Sequence, residues 1–274
     1  MRNSKKQWQG RCIFCGGGNL SKEHFWPEWA SSLLPSYPVN QHVEHSLTIS
    51  NKTRANSPKI RNKPGHAWTK KIRVVCESCN NGWMSALETA AKPLLTPLIT
   101  GTPCTISEVD GLTIARWIAL KVLVAEHNIR GDAVATDKQR QAFGATLAIP
   151  DKFRIWIGRC GVDGWQTAYW RHASTFSTSP DIKPEHRFKN THSVTFGIGE
   201  LLVTALHTTV EGLDFTFNYD QRCMMRALLP FPGPIEWPSS KILTAFEATF
   251  IAHGLDGLCR SDKVLWKPFP ASVS

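Results

Sequence analysis

Residues 72–83 read Ile-Arg-Val-Val-Cys-Glu-Ser-Cys-Asn-Asn-Gly-Trp, and this stretch decides how the first part of the chain folds. The β-branched residues at its start predict a strand. Cys76 and Cys79 follow with the spacing of half a tetrahedral zinc site. From Trp83 onward, apolar residues recur at helical spacing, which predicts a helix. The stretch therefore predicts a strand, a metal-binding turn and a helix in immediate succession.

A second cysteine pair, Cys12 and Cys15, lies upstream and is followed by glycines at positions 16–18. Glycines at this place let backbone amides fold over the sulfurs. Four thiolates close a tetrahedral site that has no open position, as in structural zinc sites. We therefore predict a structural zinc ion bound by Cys12, Cys15, Cys76 and Cys79. A zinc ribbon with no further chemistry is an alternative that fits the same spacing.

The rest of the composition indicates a globular protein. The chain has 274 residues, of which 42% are hydrophobic, enough for an ordinary core. It has no run of about 18 apolar residues, which a membrane span requires, and its polar start has no apolar run like that of a signal peptide. We expect a cytoplasmic protein with no membrane partner. In that compartment the isolated Cys104, Cys160, Cys223 and Cys259 are predicted to be thiols.

Positive charge is concentrated in the same segment as the cysteines. The chain carries a net charge of +10, and residues 1–83 hold 13 lysines and arginines against four acidic residues, a net of +9. A basic segment of this kind favours a phosphate-backbone partner, which we predict to be double-stranded DNA. A solvated basic surface is the alternative. The predicted nucleic-acid-binding residues are Lys22, Lys52, Arg54, Lys59, Arg61, Lys63, Lys70, Lys71 and Arg73.

An acidic residue and a histidine stand side by side between the cysteine pairs, at Glu23 and His24. Hydrolysis of a phosphodiester needs a base for the attacking water and a cation for the charge that develops on phosphate. A neutral histidine can be that base near pH 7, and a carboxylate is a hard oxygen ligand for Mg²⁺. Asn80 or Asn81 could supply a second oxygen ligand. The duller alternatives are a surface histidine and asparagines that cap the helix.

At these residues the chain resembles the HNH endonuclease family, in its cysteine-braced, zinc-stabilised form. The resemblance covers Cys12-x-x-Cys15, Glu23-His24-x-x-Pro27 and Cys76-x-x-Cys79-Asn80-Asn81, within roughly the first third of the chain. It implies a ββα-metal fold in which His24 is the general base and Glu23 holds Mg²⁺ or another divalent cation. It further implies that Asn80 completes the site, with Asn81 as a close alternative, and that the chain comes from a phage or a defence element.

The overall prediction is an α+β fold. Residues 1–100 form the zinc-braced ββα-metal domain with a basic loop insertion at 35–70, and Pro93 and Pro97 end its helix. Residues 101–274 form an α+β domain of unknown role, with helices first and an antiparallel sheet after them. One of these helices is predicted to begin at Thr136-x-x-Gln139, and strands are predicted to begin near Arg154 and His192. On the helix predicted from residue 112 to about 126, Lys121 and Glu126 are expected on a solvated face.

These patterns lead to one hypothesis and two rivals. We predict a metal-dependent DNA endonuclease that hydrolyses phosphodiester bonds. The first rival is a zinc-stabilised nucleic-acid-binding module without catalysis, because Lys71 stands where the family has an asparagine and the dyad carries Glu23 where aspartate is commoner. The second is a zinc-stapled protein-interaction domain. The sequence leaves the oligomeric state and the cut-site preference open.

Overall fold

The computed structural model of the chain has an α+β fold, as predicted. It describes residues 10–34, 41–48, 59–64, 70–128, 133–161, 167–176, 189–215, 224–239 and 241–260, with the backbone alone at 41–48, 59–64 and 254–260. Within these ranges, none of the helices combines the length and the apolar character that a bilayer crossing requires.

The first unit consists of two paired strands followed by a helical run. Strand β1 (Leu20–His24) pairs antiparallel with β4 (Lys71–Cys76). Buried residues of β4 alternate with exposed ones at its start, because successive side chains point to opposite faces. The chain then continues without a loop through α1 (Glu77–Cys79), a π-helical turn (Asn80–Met84) and α2 (Ser85–Thr100). The predicted order of strand, cysteine turn and helix is confirmed.

Helix α2 does not end at its prolines, so that prediction is wrong. The helix runs through Pro93 and Pro97 and stops only at Gly101, whose φ of 68° is left-handed. A proline inside a helix costs roughly 3 kcal/mol or more because it removes a hydrogen bond. Burial of an apolar face offsets this cost, and that face comprises Leu87, Ala91, Leu95, Leu98 and Ile99.

The basic insertion was predicted to form hairpins or loop, and its described residues form two paired strands. Strands β2 (Gln41–Thr48) and β3 (Lys59–Pro64) pair antiparallel, and β2 also pairs in parallel with β7 (Thr167–Ser174). The insertion thereby extends a sheet that belongs to the second half of the chain. Within the described residues this sheet has eight strands. The long strands of the second half pair antiparallel, as predicted, and the parallel pairing with β2 and one further short parallel pair make the sheet as a whole mixed.

The second half of the chain supplies the remaining elements. These are β5 (Cys104–Ile106), α3 (Glu108–Ala125), a 3-10 turn (Glu126–Asn128), α4 (Asp137–Thr146), β6 (Phe153–Cys160), β8 (Thr191–Ile198), β9 (Leu201–Thr208), β10 (Arg226–Leu229), β11 (Ile235–Trp237), β12 (Ile242–Leu243) and α5 (Ala245–Arg260). The large sheet runs in the order β10-β6-β9-β8-β7-β2-β3, and β12 pairs with β6. The helix predicted after residue 136 is confirmed with its capping box, in which Thr136 and Gln139 bond each other's backbone amides.

One hydrophobic core spans both halves of the chain. Phe14 of the first cysteine turn packs against Phe143 of α4, with ring centroids 6.1 Å apart, and belongs to the same buried cluster as Trp117 and Trp237. Helix α3 is buried on nearly every side, which is typical of a helix in the centre of a core. The domain boundary near residue 100 stays a prediction, and the core is continuous across it.

Two charged residues of this region do not lie on a solvated face. The exposed fraction is 6% for Lys121 and zero for Glu126. The expectation of solvation was wrong because the apolar residues around both positions wrap the whole circumference of α3. A buried charge needs partners, and the partners of Lys121 lie at the site described next.

Candidate metal centre and adjoining cavity

The four predicted cysteines come together in space. The sulfur atoms of Cys12, Cys15, Cys76 and Cys79 all lie within 4.8 Å of one another, and the Cys15 and Cys76 sulfurs are 3.5 Å apart. Four thiolates around one zinc ion at Zn–S distances of about 2.3 Å lie about 3.8 Å apart, so these residues fit the ion. Because the site is closed by protein sulfurs, it suits a structural metal.

Backbone amides build the first cysteine turn. Gly16, at a left-handed φ of 71°, donates from its amide to the Cys12 carbonyl, and the Gly17 amide lies 3.4 Å from the Cys15 sulfur. Ile13 donates to the Val74 carbonyl, which ties the turn to β4. The glycines therefore have the role that the sequence predicted for them.

The second cysteine turn begins the helix. The Cys76 sulfur accepts a hydrogen bond of 3.4 Å from the Cys79 amide and thereby caps α1. Burial acts to raise the pKa of Cys76, but hydrogen bonds from the Cys79 amide and the Cys15 thiol outweigh it and lower this pKa to about 7. Burial raises the pKa of the Cys79 thiol in the same cluster, so a bound cation would be needed to hold all four cysteines as thiolates.

Neither asparagine caps the helix, because Cys76 already does so and Asn80 and Asn81 follow one turn later. They open a π-helical turn in which the Ser85 amide bonds to the Asn80 carbonyl, five residues back, and Gly82 leaves helical geometry with a ψ of −113°. Such turns are frequent at functional sites. Here the turn brings both asparagines to one cavity.

That cavity has a volume of about 420 Å³ and lies beside the cysteine cluster. All four predicted site residues line it, although β1 and the helical turn are far apart in sequence. Its polar lining includes Glu23, His24, Glu28, Asn80, Asn81 and Glu88. The two cysteine turns hold β1 and the π-helical turn close together. The cavity between them therefore depends on the four-cysteine scaffold.

The orientation of Asn80 suits a cation ligand. Its side-chain nitrogen donates to the Ser21 hydroxyl over 3.1 Å, and that hydroxyl in turn lies 3.4 Å from the Val75 carbonyl. With the nitrogen engaged by β1, the amide oxygen is the atom left for an ion. Asn81 is exposed and lines the same cavity.

The Glu23 carboxylate is buried and bound by a lysine from α3. Lys121 Nζ lies 2.7 Å from Glu23 Oε1, 3.1 Å from Glu88 Oε2 and 3.2 Å from the His24 carbonyl oxygen. The side chains of Lys121 and Glu23 are 6% and 10% exposed. One oxygen of Glu23 is thus engaged by protein.

His24 is the more accessible member of the dyad. Its side chain is 28% exposed, and Nε2 lies 3.9 Å from Glu28 Oε2 on the following 3-10 turn (Glu28–Leu33). Glu28 is at the right place to orient the imidazole. The imidazole itself remains at the cavity wall, where a water molecule can reach it.

The charges around the cavity favour a cation. Three carboxylates, Glu23, Glu28 and Glu88, line it together with the ammonium of Lys92, and the ammonium of Lys121 contacts Glu23 and Glu88 from behind, which leaves one negative charge in excess. Carboxylate and amide oxygens are the ligands that Mg²⁺ and Ca²⁺ prefer. The donor set therefore fits a hard divalent cation.

Of the predicted nucleic-acid-binding residues, three are exposed on the two-stranded sheet: Lys22 on β1, and Lys71 and Arg73 on β4. Lys71 is the strand partner of His24. Arg73 also donates from Nε to the Leu20 carbonyl over 2.9 Å. These three exposed cations lie on the strands that carry and pair with the Glu23-His24 dyad.

The other predicted basic residues are placed differently. The Lys70 ammonium lies over the rings of Phe25 and Tyr169, 4.4 and 5.0 Å from their centroids, which is cation–π packing. Lys59, Arg61 and Lys63 occupy alternate positions of β3, where the backbone alone is described. Lys52 and Arg54 lie outside the described residues.

Sequence reasoning missed three charged residues of the cavity region. Glu88 lies seven residues after Asn81, a spacing that places both on one helical face, so this signal was present. Glu28 lies four residues after His24. Lys121 had a weaker signal, since a lysine inside an otherwise apolar helix must be paired if that helix is buried.

No family model, curated protein or solved structure matches the chain, so comparison with known proteins assigns it to no family.

Proposed function

We propose that this protein is a metal-dependent DNA endonuclease of the HNH type, with the active site in the cavity beside the cysteine cluster. The observation that carries the proposal is the meeting of Glu23, His24 and the asparagine pair at one cavity. The family resemblance of these residues supplies the reaction class. The proposed ββα-metal fold is supported by the order of β1, β4 and the helix.

In the proposed reaction, His24 accepts a proton from a water molecule whose oxygen attacks the phosphorus of a phosphodiester. A new P–O bond forms as the bond to the leaving sugar oxygen breaks, and that oxygen takes a proton from solvent. Glu28 orients the imidazole. Lys22, Lys71 and Arg73 bind neighbouring phosphates and hold the DNA strand against the cavity.

Glu23 and Asn80, with Asn81 as an alternative to Asn80, would hold Mg²⁺ or another divalent cation. When bound, such an ion stabilises the negative charge on the phosphate and on the leaving oxygen. The fit rests on the excess negative charge around the cavity and on the orientation of the Asn80 amide. In this assignment the cysteine-bound zinc has no chemical step of its own.

Supercoiled plasmid incubated with the zinc-loaded protein and Mn²⁺ or Mg²⁺ tests the proposal. We expect nicked and then linear DNA from the wild type, and a loss of roughly 10²- to 10⁴-fold in rate for His24→Ala, since this is the usual contribution of a general base. His253→Ala is the matched control, because His253 lies on α5 and does not line the cavity. Intact plasmid with the wild type, or equal cleavage by His24→Ala, would contradict the proposal.

A second candidate function is nucleic-acid binding without cleavage. It is favoured by one specific observation, the ion pair between Lys121 and Glu23, which engages one oxygen of the carboxylate proposed for the cation. In that case the protein binds DNA with an affinity that falls steeply with salt. Lys71→Ala would then weaken binding, and plasmid would stay intact at every Mn²⁺ concentration.

A further inference from the structure

Lys121 lies on helix α3, which is outside the part of the chain that resembles the nuclease family. It lies in the last turns of α3, 98 residues beyond Glu23 in sequence. Its three contacts, to Glu23, to Glu88 and to the His24 carbonyl, match the three donors of an ammonium group. Lys121 thus holds both residues of the dyad, Glu23 by its carboxylate and His24 by its backbone carbonyl.

Lys121 is a charged group whose side chain is buried. Two carboxylates lie within hydrogen-bond distance of its ammonium group, Glu23 at 2.7 Å and Glu88 at 3.1 Å. Together the three groups carry two negative charges and one positive charge. The remaining negative charge lies at the cavity, because Glu23 and Glu88 both line it.

The contacts also decide which atoms remain for an ion. Among the described residues, the hydrogen bond that Glu23 accepts goes to Oε1, which leaves Oε2 as its second oxygen. A carboxylate held at one oxygen has a set direction for the other. The bond to the His24 carbonyl holds the peptide that follows His24, and so it restrains the backbone from which the imidazole leaves β1.

We propose that Lys121 is a positioning residue, which together with Glu88 holds the Glu23 carboxylate for a divalent cation and leaves one net negative charge to bind that cation. This inference rests on the proposed function, since the cation is the one proposed for the nuclease site. It adds a residue from the second half of the chain to that site. Helix α3 thereby couples the large sheet to the cavity.

The test measures Mn²⁺ binding directly, by electron paramagnetic resonance of the free ion, with zinc-loaded protein. For Lys121→Met we expect the Mn²⁺ dissociation constant to rise roughly 10- to 100-fold, the usual cost of losing a residue that orients a metal ligand. The DNA dissociation constant without Mn²⁺ should not change, because a buried Lys121 does not reach DNA. A general structural defect would weaken both.

Two double variants separate the effect of charge from the effect of positioning. Their comparison tests the inference even if the single variant Lys121→Met does not fold. Lys121→Met with Glu88→Gln has the same net charge as the wild type at this place, and the introduced glutamine amide can donate to Glu23. We expect it to recover most of the Mn²⁺ affinity. Lys121→Met with Glu88→Ala has the same charge but no donor, and it should stay weak. Equal binding by the two double variants, or wild-type binding by Lys121→Met, would overturn the inference.

The outcome also separates this inference from the proposed function. A wild type that binds Mn²⁺ but leaves plasmid intact overturns the nuclease proposal, while the binding series still supports the role of Lys121. A wild type that cuts plasmid, with Mn²⁺ binding insensitive to Lys121, overturns the inference alone. Failure of the wild type to bind Mn²⁺ overturns both.

Discussion

Two groups of charged side chains are joined to the end of α3 and the turn after it, one through Lys121 and the other through Glu126, and they contain the same kinds of residue. The cavity cluster consists of Glu23, His24, Glu88 and Lys121. The closed cluster consists of Glu126, Arg171, His192 and His207. Lys121 and Glu126 are five residues apart on α3 and the turn that follows it. Each cluster thus combines carboxylate, histidine and a cation.

The closed cluster is buried, and none of its members belongs to the described lining of the cavity. The side chains of Glu126, His192 and His207 are fully buried, and the Glu126 carboxylate lies 3.4 Å and 3.9 Å from the Nδ1 atoms of the two histidines. The same carboxylate accepts hydrogen bonds from the amides of Val134 and Ala135. This cluster therefore anchors the segment before α4 against the sheet.

The difference teaches that residue types alone do not identify a reactive site. A carboxylate and a histidine can hold a fold together or can act on a substrate, and access decides between the two. None of the four members of the closed cluster lines the cavity, whereas Glu23, His24 and Glu88 do. We therefore expect substitutions in the closed cluster to lower the stability of the fold. Substitutions in the cavity cluster should weaken ion binding.

Removal of the zinc site is expected to have the largest effect. Structural zinc sites contribute about 10–16 kcal/mol of apparent binding free energy, as much as the 5–15 kcal/mol that stabilises a typical domain. Cys79→Ser should abolish zinc binding and release β1, β4 and the start of the helix, and with them the cavity cluster. Hydrogen exchange should become fast in β1 and β4 and remain slow in β8 and β9.

Cys104→Ser is the matched control, because Cys104 is a free thiol outside the cluster. Its zinc content should equal that of the wild type. If Cys79→Ser instead lost protection from hydrogen exchange equally in β1, β4, β8 and β9, the cysteine cluster would support the whole core. The expected contrast between the cysteine-bound strands and the large sheet would then fail.

Glu126→Ala is expected to have the next largest effect. It leaves two backbone amides without their acceptor and removes the carboxylate that lies near the Nδ1 atoms of the two buried histidines. Breaking a buried charged network usually costs about 3–5 kcal/mol, and urea denaturation should report a loss of this size. The Mn²⁺ affinity of the folded fraction should be unchanged. A selective loss of Mn²⁺ binding at unaltered stability would mean that the closed cluster serves the cavity.

Acid is expected to act on the histidines near the closed cluster. Burial, with a contribution from Arg140, lowers the pKa of His127 to about 4, and burial also lowers the pKa of His192. An unfolded histidine has a pKa of about 6.5, so from there down to about pH 4 the unfolded chain binds more protons than the native chain. Stability therefore falls as the pH falls through this window, by about 3 kcal/mol for His127 alone.

Urea denaturation of wild type and His127→Gln at several pH values measures this effect. Acid also releases zinc from cysteines, but that contribution is common to both proteins and cancels in their difference. The difference in stability should shrink or reverse in favour of His127→Gln as the pH falls from 7 to 4. A constant difference would show that His127 is protonated equally in both states.

Local patterns in the sequence predicted several parts correctly. The Cys76-x-x-Cys79 turn, the Thr136 capping box and the strands beginning near Arg154 and His192 follow from spacing and residue type within a few positions. Each of these elements is decided by contacts between near neighbours in the chain. Glu23 and His24 do line one cavity with Asn80 and Asn81, and their catalytic role stays a prediction.

Other parts depended on contacts between distant segments. Pro93 and Pro97 would end an isolated helix, but the buried face of α2 outweighs their cost. The basic insertion could be identified by its composition, whereas its parallel pairing with β7 brings together residues more than 100 positions apart. No local pattern encodes such a pairing.

By itself, the sequence determined the four-cysteine metal site, the α+β class and the residues from which a cation site could be built, because ligand type and short-range spacing are written directly in the chain. Only the tertiary structure decided that Lys121 and Glu88 share the Glu23 carboxylate and that Glu126 faces two histidines in a closed cluster. The physical reason is burial. A charge inside a core must find a partner, and that partner is whichever residue the packing of distant elements brings within reach.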